Sequence, residues 1–145
     1  MLVVDTNVFV YAADADSAFH GACRAWLLRQ QKLSEAWYTT WAILYEFLRV
    51  TTHPRVMRRP WTAMAAMRFV QALLSSPGLQ VLVPSARHAV ILEQIFVELP
   101  HLAGNVIHDA HTAALMREHG IQRICTRDMD FHRFPFLEVV DPVTA

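Results

Sequence analysis

Acidic residues follow two short apolar runs in this chain, a placement that can create a metal site. Asp5 comes directly after the run at residues 2–4, and Asp128 and Asp130 follow the run that ends at Thr126. Such runs are typical of buried strands, and in sheets of parallel strands ligands bind beyond the carboxyl ends. We therefore expect these acids to lie at one edge of a sheet.

Two further acids lie in segments predicted to be helical. Asp109 lies in the first turn of the helix predicted after Asn105, and Glu46 lies within an otherwise apolar segment at 43–48. A lone acid there is costly to bury unless a cation compensates it. Each acid alone also has a structural interpretation, such as a turn for Asp5 or Asp130 or a favourable helix-dipole position for Asp109. Together they are expected to converge on one edge of the sheet.

Clustered carboxylates indicate a particular kind of chemistry. They repel one another unless they share protons or bind a cation, and sites built only of oxygen favour Mg²⁺ or Mn²⁺ over zinc. Such an ion can activate a water for attack on phosphorus and stabilise the leaving oxygen. The acids therefore predict metal-dependent hydrolysis of a phosphate ester, with Mg²⁺ as the cofactor and Mn²⁺ able to substitute.

The basic residues are unevenly distributed, although the net charge is zero. No acid occurs between Glu46 and Glu93, and twelve of the thirteen cations of the chain are arginine. Arginine suits bidentate contact with phosphate and stacking on bases. Any single one could instead belong to a solvated helix face. The acid-free segment carries Arg49, Arg55, Arg58, Arg59, Arg68 and Arg87. We predict that the first four of these contact the phosphate backbone of a nucleic acid.

The pattern of apolar runs and turns predicts strands that alternate with helices. Strands are predicted at 2–4, 79–83, 121–126 and 137–140, and helices from Asp16 or Ser17 to 31, and at 41–50, 61–74, 85–99 and 106–119. This alternation predicts an α/β fold, with a central, mainly parallel sheet and helices on both faces. The length of 145 residues predicts a single domain, 1–145.

Composition bears on whether the protein crosses a membrane or is secreted. Hydrophobic residues make up 54% of the chain, but no run reaches the roughly 18 residues that a membrane span needs. The first residues lack the basic stretch of a signal peptide. Cys23 and Cys125 lack metal-site spacing and are expected to be reduced core residues. We expect a soluble, cytoplasmic protein with no membrane contact, whose apolar surplus could cover a partner surface.

Four segments resemble, in order, the successive motifs of PIN-domain ribonucleases. They are VDTNV at 4–8, YEFLRV at 45–50, NVIHDAH at 105–111 and TRDMDF at 126–131. The segment TTHPRV at 51–56 is similar to one common in a branch of the VapC toxins. No single motif is specific, but four in this order and spacing span nearly the whole chain. The chain therefore resembles the VapC toxins of toxin–antitoxin pairs, and the resemblance implies a PIN-like three-layer fold.

The resemblance also implies roles for individual residues. It implies catalytic acids at Asp5, Glu46, Asp109 and Asp128, of which Asp5, Asp109 and Asp128 would be metal ligands. The supporting residues would be Asn7, Asn105, Thr126 and Asp130. Spacing alone leaves open which of Asp128 and Asp130 is the closer ligand, and we favour Asp128.

By the same resemblance the chain is expected to be a Mg²⁺-dependent endoribonuclease and the toxin of a pair, with RNA as substrate. It is expected to form a homodimer and to be inhibited by a small VapB-like antitoxin. The sequence adds one independent observation, which is an excess of bulky apolar side chains in two helical stretches and their approaches. These are Trp26, Trp37, Trp41, Trp61, Met64, Met67 and Phe69. Some of them are expected to form an exposed interface patch.

Other functions are also compatible with parts of this sequence. A PIN-like fold could bind RNA or a partner without cutting, although the retained acids argue against that. The segment at 5–8 resembles the nucleophile loop of haloacid dehalogenase-like phosphatases, but Asn7 replaces the second aspartate of that loop. His108 and His111 could face a zinc ion, or with Asp109 could suggest an HD-type phosphohydrolase, whose helical fold does not suit a strand before Asp5.

Overall fold

Five short strands form one parallel sheet in the computed structural model, which describes all residues, 1–145. The strands are β1 (Val3–Val4), β2 (Trp37–Thr40), β3 (Leu79–Leu82), β4 (Arg123–Cys125) and β5 (Glu138–Val140). Their order across the sheet is β3-β2-β1-β4-β5, and every pair of neighbours is parallel. The strand order reverses between β1 and β4, and the crevice beyond such a reversal is where open α/β sheets bind their ligands.

Six α-helices connect the strands. They are α1 (Thr6–Ala13), α2 (His20–Lys32), α3 (Trp41–Thr51), α4 (Ala63–Leu74), α5 (His88–Glu98) and α6 (Val106–Glu118), and a 3₁₀ helix follows at Met129–Arg133. Helix α1 packs on α2 and α3, α3 packs on α4, and α5 packs on α6. With this strand order, the right-handed rule for crossovers between parallel strands predicts the first four helices on one face of the sheet and the last two on the other, in agreement with these contacts. The predicted α/β fold is confirmed.

Helix α1, strand β2 and the 3₁₀ helix were absent from the sequence-based prediction. Helix α1 is short and rich in β-branched residues, which have modest helix propensity. It begins because the Asp5 carboxylate accepts a hydrogen bond from the Thr6 amide at 2.8 Å. Strand β2 lies inside the sheet between β1 and β3, and it is recognised as a strand by its pairing with both neighbours. Neither α1 nor β2 could be identified from a periodic pattern of its own.

Some helix starts also differ from the prediction. Helix α2 begins at His20, and neither Asp16 nor Ser17 caps it. The Ser17 hydroxyl instead accepts from the Phe19 amide, and the Asp16 carboxylate binds Arg59. Helix α5 begins later than predicted, at His88.

One hydrophobic core of 31 buried residues lies between the sheet and its helices. Strand β1 is fully buried, as are Cys23, Cys125 and the ring of Trp37. The Trp37 indole nitrogen donates to the carbonyl of Pro77 at 2.9 Å, so its one polar atom is satisfied. No helix combines the length and the apolar character needed to cross a membrane.

Candidate active site

Asp5 lies directly after β1, at the point where the strand order reverses. The residue is buried, with 8% of its surface exposed, and both carboxylate oxygens accept hydrogen bonds. One oxygen accepts from the amide of Thr6. The other accepts from the side-chain amide of Asn7 at 2.9 Å and from the hydroxyl of Thr126 at 2.8 Å. Burial raises the pKa of Asp5 to about 6, against the lowering effect of the bonds from Thr126 and Thr6.

Thr126 connects the carboxyl ends of β1 and β4 through its hydroxyl. Its hydroxyl donates to Asp5 and accepts from the side chain of Asn7 at 2.9 Å and from the amide of Asp128 at 3.0 Å. Asn7 in turn accepts from the amide of Arg127 at 3.0 Å. Asn7 and Thr126, two of the four residues predicted to support the site, therefore form one hydrogen-bonded network that fixes the loop after β4 against the start of α1.

Three carboxylates meet beside this network. One oxygen each from Asp109, Asp128 and Asp130 can be chosen so that all three lie within 4.8 Å of one another. Asp128 accepts from the amide of Asp130 with one oxygen and has no protein partner for the other. Asp130 is partly neutralised by Arg133, whose Nε lies 3.2 Å from its carboxylate. The structure therefore brings Asp130, predicted only as a supporting residue, into the same cluster as Asp128.

Asp109 is the least compensated acid of the group. It lies in the first turn of α6, half-buried, and its carboxylate has neither a hydrogen-bond donor nor an ion-pair partner in the protein. Burial raises its pKa to about 7, and the neighbouring carboxylates, Asp128 first among them, contribute to the rise. A carboxylate in this state binds either a proton or a cation at neutral pH.

Glu46 lines the same groove from α3. Its side chain is 50% exposed, so there is no burial cost that a cation would have to compensate. Arg49 lies one turn further along, with a guanidinium nitrogen 3.4 Å from the Glu46 carboxylate. The amphipathic pattern of α3 explains this position, because its apolar residues at 43, 44 and 47 face the core.

The groove that contains these acids is open and has a volume of about 1120 Å³. Its lining includes every predicted catalytic acid together with Asn7, Asn105 and Asp130. Thr126 is buried beneath it. Sequence reasoning gave no role in this acidic site to two further lining residues, Tyr45 and His108, although each directly precedes a predicted catalytic acid. His111 lies away from this lining and packs edge-on against His88, with ring centroids 5.4 Å apart, so it does not form a pair with His108.

The four arginines predicted to bind RNA are in different environments. Arg49 lines the groove. Arg55 and Arg58 are exposed and have no ion-pair partner. Arg59 donates two hydrogen bonds of 3.0 Å to the carboxylate of Asp16. The Arg59 guanidinium is therefore partly engaged within the protein.

Comparisons with known proteins agree with this geometry. Residues 2–137 match the family model described as PIN domain. The chain is 33% identical to ribonuclease VapC37 and 36% identical to ribonuclease VapC43 of Mycobacterium tuberculosis. These alignments cover 92% of this chain in both cases, and 92% and 90% of the relatives.

Solved structures share the fold. The toxin–antitoxin complex VapBC2 from Rickettsia felis, bound to a DNA fragment from its promoter, gives a TM-score of 0.70 at 18% identity, and the alignment covers 96% of each chain. VapC20 of Mycobacterium tuberculosis, a toxin that cleaves the sarcin–ricin loop, gives a TM-score of 0.66 at 24% identity over 97% of this chain and 100% of that one.

Proposed function

The chain belongs to the PIN-domain family, and on that premise we propose that it is a metal-dependent endoribonuclease and the toxin of a toxin–antitoxin pair. Two of its relatives are named ribonucleases, and the chain aligns with them over nearly their whole length. The observation that carries the proposal is the meeting of Asp109, Asp128 and Asp130 within 4.8 Å, beside the buried Asp5. We treat residues 1–145 as one PIN-like domain.

The donor set fits a hard divalent cation. All its atoms are carboxylate oxygens, and only Asp130 has a cationic neighbour. Asp109 and Asp128 each have an oxygen without a protein partner. Asp5 already accepts three hydrogen bonds, which leaves about one of its roughly four lone-pair sites free. We propose that Asp5, Asp109 and Asp128 hold the ion, directly or through water, and that Asp130 adjoins it.

A bound Mg²⁺ or Mn²⁺ would supply Lewis acidity for hydrolysis of the phosphodiester. The protein's own residues would orient the substrate. Glu46, which lines the same groove, would accept a proton from the attacking water. Arg49 would contact a phosphate oxygen, and Arg55 and Arg58 would contact the backbone beyond the groove. Asn7, Thr126 and Asn105 would hold the acids and the groove wall in position.

Cleavage of RNA by the purified chain tests this proposal. Single-stranded RNA should be cut when Mg²⁺ or Mn²⁺ is added and should remain intact in EDTA. Mass spectrometry should detect 5′-phosphate and 3′-hydroxyl ends, because hydrolysis by water does not use the RNA 2′-hydroxyl. Asp5→Asn should keep the fold and abolish cleavage, whereas Glu93→Gln, an exposed acid on α5, should cut normally. Ends with a 2′,3′-cyclic phosphate would contradict the mechanism, and binding without cleavage would favour a non-catalytic module.

We also propose an antitoxin partner and a homodimer. The support for the antitoxin is that the similar structures include toxin–antitoxin complexes. An apolar depression of about 160 Å³ between α1, α2 and α4 could take a side chain of an antitoxin helix; it is lined in part by Leu27, Leu28 and Phe69. An arginine of the antitoxin could then compete with the cation for the acids.

The support for the dimer is the exposed apolar surface. Of the bulky residues expected at an interface, Trp26 and Trp37 are buried, whereas Trp41 and Met64 are exposed, and Met64 alone carries this proposal. Light scattering at several concentrations tests the dimer, and a monomer at all of them would contradict it.

A further inference from the structure

Helix α3 presents an aromatic stripe on its outer face. Trp41, Tyr45 and Arg49 are spaced four residues apart, so they lie on the same side of the helix. Trp41 is 42% exposed and Tyr45 is 67% exposed, which makes Tyr45 the most exposed aromatic side chain in the protein. Their ring centroids lie 6.1 Å apart, with the planes tilted by 55°. We call this pair the aromatic shelf.

The aromatic shelf is not needed for the core. On the inner side of α3, Phe47 packs into the core. Its ring stacks on Phe69 with centroids 4.9 Å apart and contacts Trp61 edge-on. The ring of Tyr45, by contrast, faces open solvent at the groove and makes no aromatic contact except with Trp41. An exposed ring of this size gains little for folding, so its position invites a functional explanation.

The surroundings of the aromatic shelf favour nucleic acid over a protein surface. Tyr45 lines the groove of the catalytic acids, next to Glu46, and Arg49 continues the same stripe with a positive charge. Most of the residues that line the groove are polar, which does not suit an apolar partner helix. An exposed aromatic ring can stack on a base, and an arginine beside it can contact the adjoining phosphate.

We propose that Tyr45 and Trp41 stack unpaired bases of the RNA beside the phosphodiester that is cut. This inference rests on the proposed ribonuclease function and assigns a specificity-determining role to two residues outside the acid cluster. A base within a duplex is already stacked and cannot reach the rings. The aromatic shelf therefore selects RNA that is single-stranded at the cut site. Tyr45 lies in the groove and would stack on the base nearer to the acids. Trp41 lies one helical turn away and would stack on the neighbouring base.

Binding measured without cleavage tests the aromatic shelf. The full chain in EDTA is titrated with labelled oligoadenylate, with its duplex, and with an abasic ribose-phosphate chain of equal length. Tyr45→Ala and Trp41→Ala should each weaken oligoadenylate binding roughly ten-fold, which is within the usual range for loss of one stacking ring. Tyr45→Phe keeps the ring and should bind within about two-fold of wild type, because stacking needs only the aromatic face. Val97→Ala, an exposed apolar residue on α5, is the control.

The abasic chain separates stacking from other effects of the substitutions. It should bind the wild type and both alanine variants equally, because it offers phosphates without bases. Equal binding of oligoadenylate by wild type and alanine variants would overturn the inference. So would a dimer that dissociates in these variants while RNA affinity is unchanged, since the aromatic shelf would then be an interface between copies. If the rings matter for binding but no RNA is ever cut, base stacking by the aromatic shelf stands, and the proposed ribonuclease function fails. If RNA is cut but neither binding nor cleavage changes in the alanine variants, the ribonuclease function stands and the role of the aromatic shelf fails.

Discussion

The hydroxyl of Thr126 donates a 2.8 Å hydrogen bond to the carboxylate of Asp5, joining residues 121 positions apart in the chain. Thr126 is 1% exposed, and its oxygen also accepts from the side chain of Asn7 and the amide of Asp128. One oxygen thus connects the end of β1 to the loop that carries two of the clustered acids. The geometry of the acidic site depends on this connection.

Replacing Thr126 with valine should damage the site more than its small change in shape suggests. The valine leaves the Asp5 carboxylate without one donor and the Asp128 amide without its acceptor, so the free energy of unfolding should fall by about 1–3 kcal/mol. The loss of that donor should also raise the pKa of Asp5 further. Cleavage should drop sharply, whereas Thr126→Ser, which keeps the hydroxyl, should retain most of it. Urea denaturation and cleavage rates measure both effects, and a valine variant as active as the serine variant would contradict this role.

Asp109→Asn should separate stability from function. Without metal, the Asp109 carboxylate faces other carboxylates with no compensating cation, and its pKa is raised to about 7. Asparagine removes that repulsion at nearly the same volume. We expect a rise in the free energy of unfolding on the order of 1 kcal/mol in EDTA at pH above that pKa.

The same substitution should abolish metal-dependent cleavage. Thermal unfolding in EDTA and cleavage assays test both statements, with Glu93→Gln as the matched removal of an exposed negative charge. A destabilised Asp109→Asn variant, or one that still cuts, would contradict the interpretation of Asp109 as the uncompensated acid.

The position of the acids could be predicted from sequence, because it follows from a general property of parallel sheets. Asp5 and Asp128 follow β1 and β4 closely, and the strand order reverses between these two strands. The hydrogen bonds among Asn7, Thr126 and Asp5 could not be derived in the same way. They depend on the register of β1 against β4, which places Val4 beside Cys125.

The missed features depend on tertiary contacts. Strand β2 carries no alternating pattern, because buried residues occupy both of its faces. Glu46 lies in an otherwise apolar segment, and its exposure follows from the way α3 packs its other face on the core. The contact between Arg59 and Asp16 joins two loops 43 positions apart, and no sequence pattern predicts it.

The stability of the metal-free protein should decrease as pH rises. Folding raises the pKa of Asp5 from 3.8 to about 6 and that of Asp109 from 3.8 to about 7. Between those limits the folded protein binds more protons than the unfolded chain, so the free energy of unfolding falls with increasing pH. The contribution of these two acids is fully present below pH 3.8 and is lost as pH passes about 7.

Added Mn²⁺ or Mg²⁺ should reverse this trend, because the ion binds deprotonated carboxylates and stabilises the folded state most at higher pH. Denaturation across the pH range with EDTA and with metal measures the effect. Burial also lowers the pKa of His111, which adds to the pH dependence, so the variant carrying both Asp5→Asn and Asp109→Asn serves as the control. Its profile should be flatter in EDTA and should not respond to metal. Identical profiles for wild type and this double variant would show that other groups cause the pH dependence.

The exposed arginines beyond α3 should contribute to RNA affinity through their charge on the phosphate backbone. Arg55 and Arg58 have no ion-pair partner, whereas Arg59 is held by two hydrogen bonds to Asp16. Neutralising Arg55 and Arg58 to glutamine should weaken binding to single-stranded RNA. The slope of log affinity against log salt should fall by about 0.7 for each phosphate that the protein no longer neutralises. Arg59→Gln should change the slope less and should release the Asp16 loop, because its charge is already shared.

Binding titrations in EDTA at several salt concentrations give these slopes. Arg29→Gln, on the exposed side of α2 and without an ion pair, is the matched control and should leave the slope unchanged. If the variant with both Arg55 and Arg58 replaced has the same slope as wild type, the arginine block does not bind the phosphate backbone. The RNA path must then follow Arg49 and the groove alone.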